Sequence, residues 1–274
     1  MAVFERFTLI AGPCVVEENE TTLRIAERLA SLSSRHDLPV VFKASFDKAN
    51  RARLDSPRGP GFERGLEWLR RVRSEFGLPV LTDIHEVGQA GPASEVVDIL
   101  QIPAFLCRQT DLVLSAAGTG RAINVKKGQW MAPEEMAAVV EKARAGGATT
   151  VTVTERGTFF GYGELVVDMR SFERIRSACA VPVVFDGTHS VQRPGRAGGS
   201  TGGDPETIPS LVRGAVAAGC DHLFLETHPD PASAPSDGRS MLPLERLEPL
   251  IEQVIGIREA LSGGGVGARW SVSG

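Results

Sequence analysis

Six basic side chains follow short runs of β-branched residues, at positions from which they can bind one anionic ligand. They are Lys43, Lys48, Arg51, Arg108, Lys126 and Arg156. Like charges repel at short distance, so gathering these residues is costly unless anions lie between them. A ligand with phosphate and carboxylate groups is the expected complement, and arginine suits bidentate phosphate contact. For any single residue the alternative is a surface position or an ion pair.

A second set of residues offers sulfur, nitrogen and oxygen ligands for a metal. It consists of Cys14, His189, Glu226 and Asp237. Such a mixed set suits a borderline divalent ion such as Zn, Fe, Mn or Co. An isolated buried cysteine also occurs as a small hydrophobic residue, and an isolated histidine as a structural hydrogen-bonding group. The residue types alone leave both interpretations open.

Other reaction classes have weaker support, with one exception. The sequence contains neither a GxSxG elbow nor a P-loop. A Schiff-base aldolase needs one lysine whose pKa is depressed by desolvation or by cationic neighbours. Lys126, which is adjacent to Lys127, is a candidate for that lysine. Chemistry through a lysine imine therefore stays open at this point.

The elements that must position these residues alternate between strand and helix. The strand-like runs are Phe7–Ala11, Val40–Ala44, Pro79–Asp83, Val97–Ile102, Ala122–Lys126, Thr149–Thr154, Pro182–Phe185 and His222–Glu226. The helix-like runs are Thr21–Ser33, Gly61–Phe76, Glu86–Ala90, Asp111–Ala117, Pro133–Ala145, Met169–Ala178, Pro205–Ala218 and Leu244–Leu261. Eight such units predict an α/β fold, a (β/α)8 TIM barrel, whose active site lies at the carboxyl ends of the strands. Both residue sets would then meet at one rim.

The alternative architecture is an open doubly wound sheet, but the first strand is followed by Ala11-Gly12-Pro13-Cys14 and not by GxGxxG. We predict one domain over 1–274, with a flexible tail from about 262. Pro194–Asp204 and Pro229–Arg239 are expected to be loops, the first of them flexible.

Composition limits the partners and the compartment. The formal charge of −4 gives no general attraction to nucleic acid or to anionic membranes. No apolar run approaches the ~20 residues that span a bilayer, and the first ten residues lack a signal-peptide pattern. The four cysteines are widely spaced and form no CxxC pair, which favours a reducing cytoplasm.

Eight segments, collinear from about residue 7 to residue 260, closely resemble the 3-deoxy-D-manno-octulosonate 8-phosphate synthase family. They are IAGPCV at 10–15, FKASFDKANR at 42–51, TDIHE at 82–86, QIPAFLCRQTD at 101–111, NVKKGQ at 124–129, TERGT at 154–158, VVDMR at 166–170 and DGTHSVQ at 186–192. The related synthase that uses erythrose 4-phosphate shares the Gly-Pro-Cys segment, but typically has a Lys-Pro-Arg-Thr-type sequence at 48–51.

The resemblance implies that phosphoenolpyruvate, arabinose 5-phosphate and water give the octulosonate phosphate and inorganic phosphate, for lipopolysaccharide synthesis. The family's phosphoenolpyruvate-binding positions match Lys43, Lys126, Arg156 and His189, and its sugar-phosphate positions match Asn50, Arg51 and Arg108. Lys48 and Gln101 are further candidates for substrate binding, and Lys43, Lys126, His189 and Asp237 are the candidates for catalysis.

The resemblance also implies a homotetramer, in which Arg108 enters the site of a neighbouring subunit, and a metal-dependent class. That class carries cysteine at the position of Cys14, where the metal-independent class carries asparagine. His189, Glu226 and Asp237 match the remaining ligands. Departures from the family pattern fall at Ala52-Arg53, at Arg193, in the 194–207 loop and at Arg239-Ser240. They surround the sugar end of the site and leave another aldose phosphate, such as erythrose 4-phosphate, as an alternative substrate.

Overall fold

Eight parallel strands of the described chain close into a barrel. The structure is a computed structural model, and it describes residues 3–51, 53–161, 164–197 and 200–263. With strands numbered in chain order, the barrel strands are β1 Leu9–Gly12, β2 Val40–Lys43, β3 Val80–Asp83, β4 Ile99–Ile102, β5 Ala122–Lys126, β6 Val151–Glu155, β9 Val183–Asp186 and β12 His222–His228. β1 pairs in parallel with both β2 and β12, which closes the ring. The predicted TIM barrel is confirmed, and the open sheet is excluded.

Helices cover the outside of the barrel between successive strands. They are α1 Glu20–His36, α2 Phe62–Phe76, α3 Ala90–Ser94, α4 Thr110–Ala117, α5 Met136–Ala145, α6 Ser171–Cys179, α7 Ile208–Ala217 and α8 Leu244–Gly263. Three predicted helices follow a 3-10 turn and so begin later than expected; before α7 this turn is Pro205–Thr207. A 3-10 turn occupies Pro133–Glu135 before α5, and another occupies Val87–Gln89 before α3. α8 continues through Gly263, and the rest of the predicted tail lies outside the described residues.

Three strand pairings outside the ring were not predicted. β7 Thr158–Gly161 and β8 Glu164–Val166 form one antiparallel hairpin, and β10 Gln192–Ala197 and β11 Ser200–Gly203 form another. The short strand β13 Leu242–Pro243 pairs with β12. The prediction of an irregular loop at Pro194–Asp204 was therefore wrong for the described residues up to Gly203, which pair as strands without any apolar alternation, while its flexibility stays a prediction. Pro229–Arg239 contains two 3-10 turns, at Pro231–Ser233 and Gly238–Ser240.

The core has two layers. The larger layer lies between strands and helices and includes Phe42, Leu69 and Phe172. The smaller one fills the barrel interior with Ile10, Val41, Leu81, Ile99, Val184 and Phe224. In the part of the chain that the structure describes, no helix is long and apolar enough to cross a membrane.

Candidate active site

The two-residue period of the strands brings the charged side chains into the mouth of the barrel. Alternate strand residues point to the same face, so the interior apolar residues set the direction of the residues two positions later. Val41 is followed at this spacing by Lys43, Leu81 by Asp83, Val184 by Asp186 and Phe224 by Glu226. Each strand thus places an apolar side chain in the barrel and an ionisable one at its carboxyl end.

Lys43 and Glu226 form a buried ion pair across the mouth. The Lys43 Nζ lies 2.7 Å from Glu226 Oε1 and donates a second hydrogen bond, of 3.0 Å, to the Cys14 carbonyl oxygen. Burial alone would raise the pKa of Glu226, but the charges of Lys43 and His189 outweigh burial and lower it. Glu226 is therefore an ionised carboxylate at neutral pH.

Lys126 and His189 share one carboxylate oxygen of Asp186. Oδ2 lies 2.6 Å from the Lys126 Nζ and 2.8 Å from the His189 Nδ1. Burial lowers the pKa of Lys126, although the charge of Asp186 opposes this shift. Lys127 points away from the mouth, since its Nζ contacts the Met131 carbonyl oxygen at 3.2 Å. It is therefore not the cationic neighbour that the Schiff-base alternative invoked for Lys126.

Arg156 has one free donor inside the site. Its Nη2 donates to the Gln192 Oε1 at 2.6 Å, whereas its Nη1 is buried and has no partner among the described residues. The Gln192 side chain continues to Asp237, since its Nε2 donates to Oδ1 at 3.1 Å. A buried donor without an acceptor is unfavourable. An anionic oxygen in the mouth would satisfy the Nη1 group.

Cys14, Glu226 and Asp237 converge on one point. Their ligand atoms lie within 4.8 Å of one another, and the Cys14 Sγ donates to Asp237 Oδ2 at 3.1 Å. Asp237 has a left-handed backbone with φ of 52°, which aspartate tolerates better than most residues. The hydroxyl of Ser236 also donates to Asp237 Oδ2, at 2.7 Å.

This trio fits a divalent metal. It offers a soft thiolate and two hard carboxylates, and the Nε2 of His189 lies 3.6 Å from the Glu226 Oε2 at its edge. Burial, followed by the charge of Glu226, raises the pKa of the Cys14 thiol. Without a cation the proton therefore stays on sulfur, and a metal would replace that proton. The three residues of the trio agree with the predicted ligand set, while His189 stands next to it.

The predicted sugar-phosphate residues Asn50, Arg51 and Arg108 are less buried than Lys48, a further candidate for substrate binding. Lys48 is buried, and its Nζ donates to the Ser45 Oγ at 2.8 Å. Arg51 is half-buried: its Nε donates to the Pro57 carbonyl oxygen, and its Nη2 is buried without a partner among the described residues. Asn50 and Arg108 are exposed, and the described contacts do not join them to the buried cluster.

Two other predicted or suspected ligands have partners of their own. Gln101 lies inside the barrel, where its Oε1 accepts a 2.9 Å hydrogen bond from Asn124. Substrate binding by Gln101 stays a prediction. Arg53, one of the departures from the family pattern, pairs with Asp55 at 2.9 Å and is 60% exposed in its side chain. Arg53 therefore points to solvent, and Ala52 lies outside the described residues.

Sequence reasoning selected Glu226 only as a metal ligand and did not select Asp83 or Asp186, although all three neutralise cations of the site. Asp186 pairs with Lys126, Glu226 pairs with Lys43, and Asp83 accepts from Ser45, the partner of Lys48. For Lys43 and Lys126 the ion-pair alternative kept open by the sequence therefore holds in part, since alternate strand ends supply carboxylates. Asp83 and Asp186 both end strands, and that position was the available signal. Gln192 and Ser236 do not end predicted strands, so their positions did not indicate a role in the site.

The fold and this mouth define a (β/α)8 barrel enzyme in which buried cations adjoin a cluster of sulfur and carboxylate groups that could hold a metal ion. Residues 4–262 match the DAHP synthetase I family, to which the chain belongs.

Curated relatives give a finer comparison. Proteins named 2-dehydro-3-deoxyphosphooctonate aldolase are 54% identical to this chain in a Cyanothece species and 51% identical in Desulfosudis oleivorans. The alignments cover 93% of this chain and 93% of the first relative, and 92% of this chain and 90% of the second. A protein of that name from Syntrophobacter fumaroxidans is 54% identical, over 92% of this chain and 87% of its own.

Proposed function

We propose that the protein condenses phosphoenolpyruvate with D-arabinose 5-phosphate and water, giving 3-deoxy-D-manno-octulosonate 8-phosphate and inorganic phosphate (EC 2.5.1.55). The observation that carries the proposal is the unpartnered, buried Nη1 of Arg156 beside two buried lysines, Lys43 and Lys126. The names of the curated relatives support the same activity. The product serves lipopolysaccharide synthesis.

The buried cations would hold phosphoenolpyruvate. Lys43, Lys126 and Arg156 face its carboxylate and phosphate, and Arg156 supplies a planar fork that suits either group. Lys48, Asn50 and Arg51 would hold the aldose phosphate. Burial alone would lower the pKa of Lys48, but the negative charges of Asp83, Glu226 and Asp237 raise it. Lys48 is therefore a permanent cation.

The bond-forming step joins C3 of phosphoenolpyruvate to the aldehyde carbon of the sugar. Water adds at C2, and the tetrahedral intermediate then loses inorganic phosphate by cleavage of the C2–O bond. The added water must lose a proton, and the former aldehyde oxygen must gain one to become a hydroxyl. We propose that Asp237, as a carboxylate at the mouth, accepts the proton of the water, so that one proton is released and one is taken up. Lys126 stays an ammonium group and forms no imine in this scheme.

Cys14, Glu226 and Asp237, with His189, would hold a divalent ion such as Zn, Fe, Mn or Co. When bound, the ion supplies Lewis acidity and a fixed position for the aldose or the water. Removal of metal by a chelator, followed by an assay and by addition of single ions, tests this part. We expect activity to fall on chelation and to return with the ion. Full activity of Cys14→Asn after chelation would contradict it.

Release of inorganic phosphate from phosphoenolpyruvate tests the reaction, with arabinose 5-phosphate and erythrose 4-phosphate compared in parallel. We expect turnover that depends on arabinose 5-phosphate. Faster turnover with erythrose 4-phosphate would transfer the assignment to the related synthase, and no turnover with either would refute the proposal. Because burial lowers the pKa of Lys126, borohydride trapping is included, and a reduced substrate adduct on Lys126 would establish the Schiff-base alternative.

We also propose a cytoplasmic homotetramer in which Arg108 acts across a subunit boundary. The exposed rings of Phe105 and Trp130 stack at 6.0 Å near Arg108 in sequence, and these apolar groups suit contact with another copy. Light scattering on the purified protein tests the assembly. A monomer at assay concentration that retains full activity would contradict it.

A further inference from the structure

One buried carboxylate lies between a group proposed for phosphoenolpyruvate and a group proposed for the metal. Asp186 ends β9 and is fully buried, and its two oxygens have different partners. Oδ1 accepts from the backbone N–H groups of Thr188 and His189, at 3.1 and 2.9 Å, and from the Thr188 hydroxyl at 3.0 Å. Oδ2 faces the Lys126 Nζ and the His189 Nδ1. The Oδ1 contacts fix the carboxylate, so Oδ2 has little freedom to move.

This arrangement determines what Lys126 and His189 can do. The ammonium of Lys126 is held against Oδ2 at 2.6 Å and lies 3.7 Å from the centre of the Phe224 ring, so it is restrained on two sides. The tautomer with the proton on Nδ1 directs it towards Oδ2, 2.8 Å away, and leaves His189 Nε2 with a free lone pair on the side of Glu226. A carboxylate in this position commonly orients a metal-binding histidine.

We propose that Asp186 is a positioning residue that holds the phosphoenolpyruvate-binding lysine and the metal-binding histidine through a single oxygen. The inference rests on the proposed function of this site. It predicts that the two binding events depend on one side chain that contacts neither ligand. Asp186 acts only through Lys126 and His189.

Asp186→Asn tests the proposal because it keeps the shape of the side chain and replaces only the oxygen that faces Lys126 and His189. An amide keeps one oxygen for the Thr188 and His189 backbone donors, and it places an NH₂ group opposite two other donors, Lys126 and His189. We expect Zn²⁺ affinity, measured by competition with a chromophoric chelator, to fall about 10- to 100-fold. Phosphoenolpyruvate affinity of the metal-free protein, measured by calorimetry, should fall roughly fivefold or more.

Asp221→Asn is the matched control. Asp221 accepts from the Val183 N–H at 2.8 Å, at the opposite end of the same strand, and contacts neither Lys126 nor His189. This variant should lower the thermal midpoint and leave both binding constants unchanged. If Asp186→Asn changes only one of the two constants, or changes neither, the shared-oxygen proposal is refuted. Equal losses in Asp221→Asn would also refute it.

Binding measurements on the wild-type protein distinguish failure of this inference from failure of the proposed function on which it rests. If wild-type protein binds neither Zn²⁺ nor phosphoenolpyruvate, the proposed function fails and the role of Asp186 fails with it. If Asp186→Asn does not fold, Thr188→Val replaces it, with Thr188→Ser as the variant that keeps the hydroxyl. Loss of the Thr188 donor should weaken both binding events to a smaller extent, and unchanged constants would overturn the proposal.

Discussion

Arg156 is a buried side chain of the mouth whose hydrogen bonding is incomplete without a ligand. One of its terminal nitrogens is bound to Gln192 and the other is buried without a partner among the described residues. The nearby lysines are already matched by carboxylates. An incoming anion therefore gains most from Arg156, since charge-assisted hydrogen bonds are stronger than neutral ones.

Arg156→Lys should raise the KM for phosphoenolpyruvate about tenfold or more, because a lysine cannot keep the Gln192 contact and also reach the ligand. Steady-state kinetics with phosphoenolpyruvate varied at saturating aldose measures this effect. Arg246→Lys is the control, as Arg246 pairs with Glu206 on the surface. An unchanged KM in Arg156→Lys would remove Arg156 from the proposed binding site.

At the scale of elements, β1 and β2 approach each other closely where they deliver Cys14 and Lys43. A Cβ atom on Gly12 would overlap the Lys43 carbonyl oxygen and lie 3.0 Å from the Lys43 carbonyl carbon. Backbone atoms cannot move aside as a flexible side chain can. Glycine is therefore required at the end of β1, and its role is to let the first two strands bring their functional residues together.

Gly12→Ala should destabilise the protein by about 1–3 kcal/mol and reduce activity, because the clash displaces Lys43. Gly256→Ala is the contrasting change. Gly256 is an exposed residue within α8, and an added Cβ meets nothing within 4 Å. This second variant should be more stable than wild type by about 0.5–1 kcal/mol. Urea unfolding of both variants measures the difference, and a neutral Gly12→Ala would contradict the close-approach argument.

The order of strands and helices in the barrel could be predicted from the sequence, because each strand is buried on both faces and each helix follows a β-branched run. It specified the site less completely. Lys43, Lys126 and Glu226 were found because they end strands, whereas Gln192 lies at the start of a hairpin that no apolar alternation announces. The hairpin depends on pairing between residues in a glycine-rich segment, and composition favours a flexible loop there.

At the scale of the whole molecule, His222 makes the stability of the folded protein depend on pH. This residue lies on the amino-terminal side of the barrel. It is 3% exposed, and its Nδ1 accepts from the Thr8 N–H at 3.2 Å. Burial lowers its pKa from 6.5 to about 4. The folded protein therefore keeps His222 neutral at a pH where the unfolded chain takes up a proton, so its contribution to stability declines as pH falls from 6.5 towards 4.

His222→Asn, which retains an acceptor for Thr8, should remove this dependence. Between pH 7 and pH 5 the wild type should lose about 2 kcal/mol more unfolding free energy than the variant. His228 has a raised pKa and acts in the opposite direction, but it is present in both proteins and cancels in the comparison. Urea unfolding at the two pH values measures the difference. Parallel pH profiles would show that His222 does not titrate in this range.

The pairing of β1 with β12 has a consequence for backbone amide exchange with deuterium. An open sheet has two outer strands whose amides exchange as those strands detach, but a closed ring has none. Amides of the eight ring strands should therefore exchange slowly and together, at a rate set by global unfolding. Amides of the β10–β11 hairpin, outside the ring, should exchange earlier. Mass spectrometry would then show the ring strands as one cooperative unit.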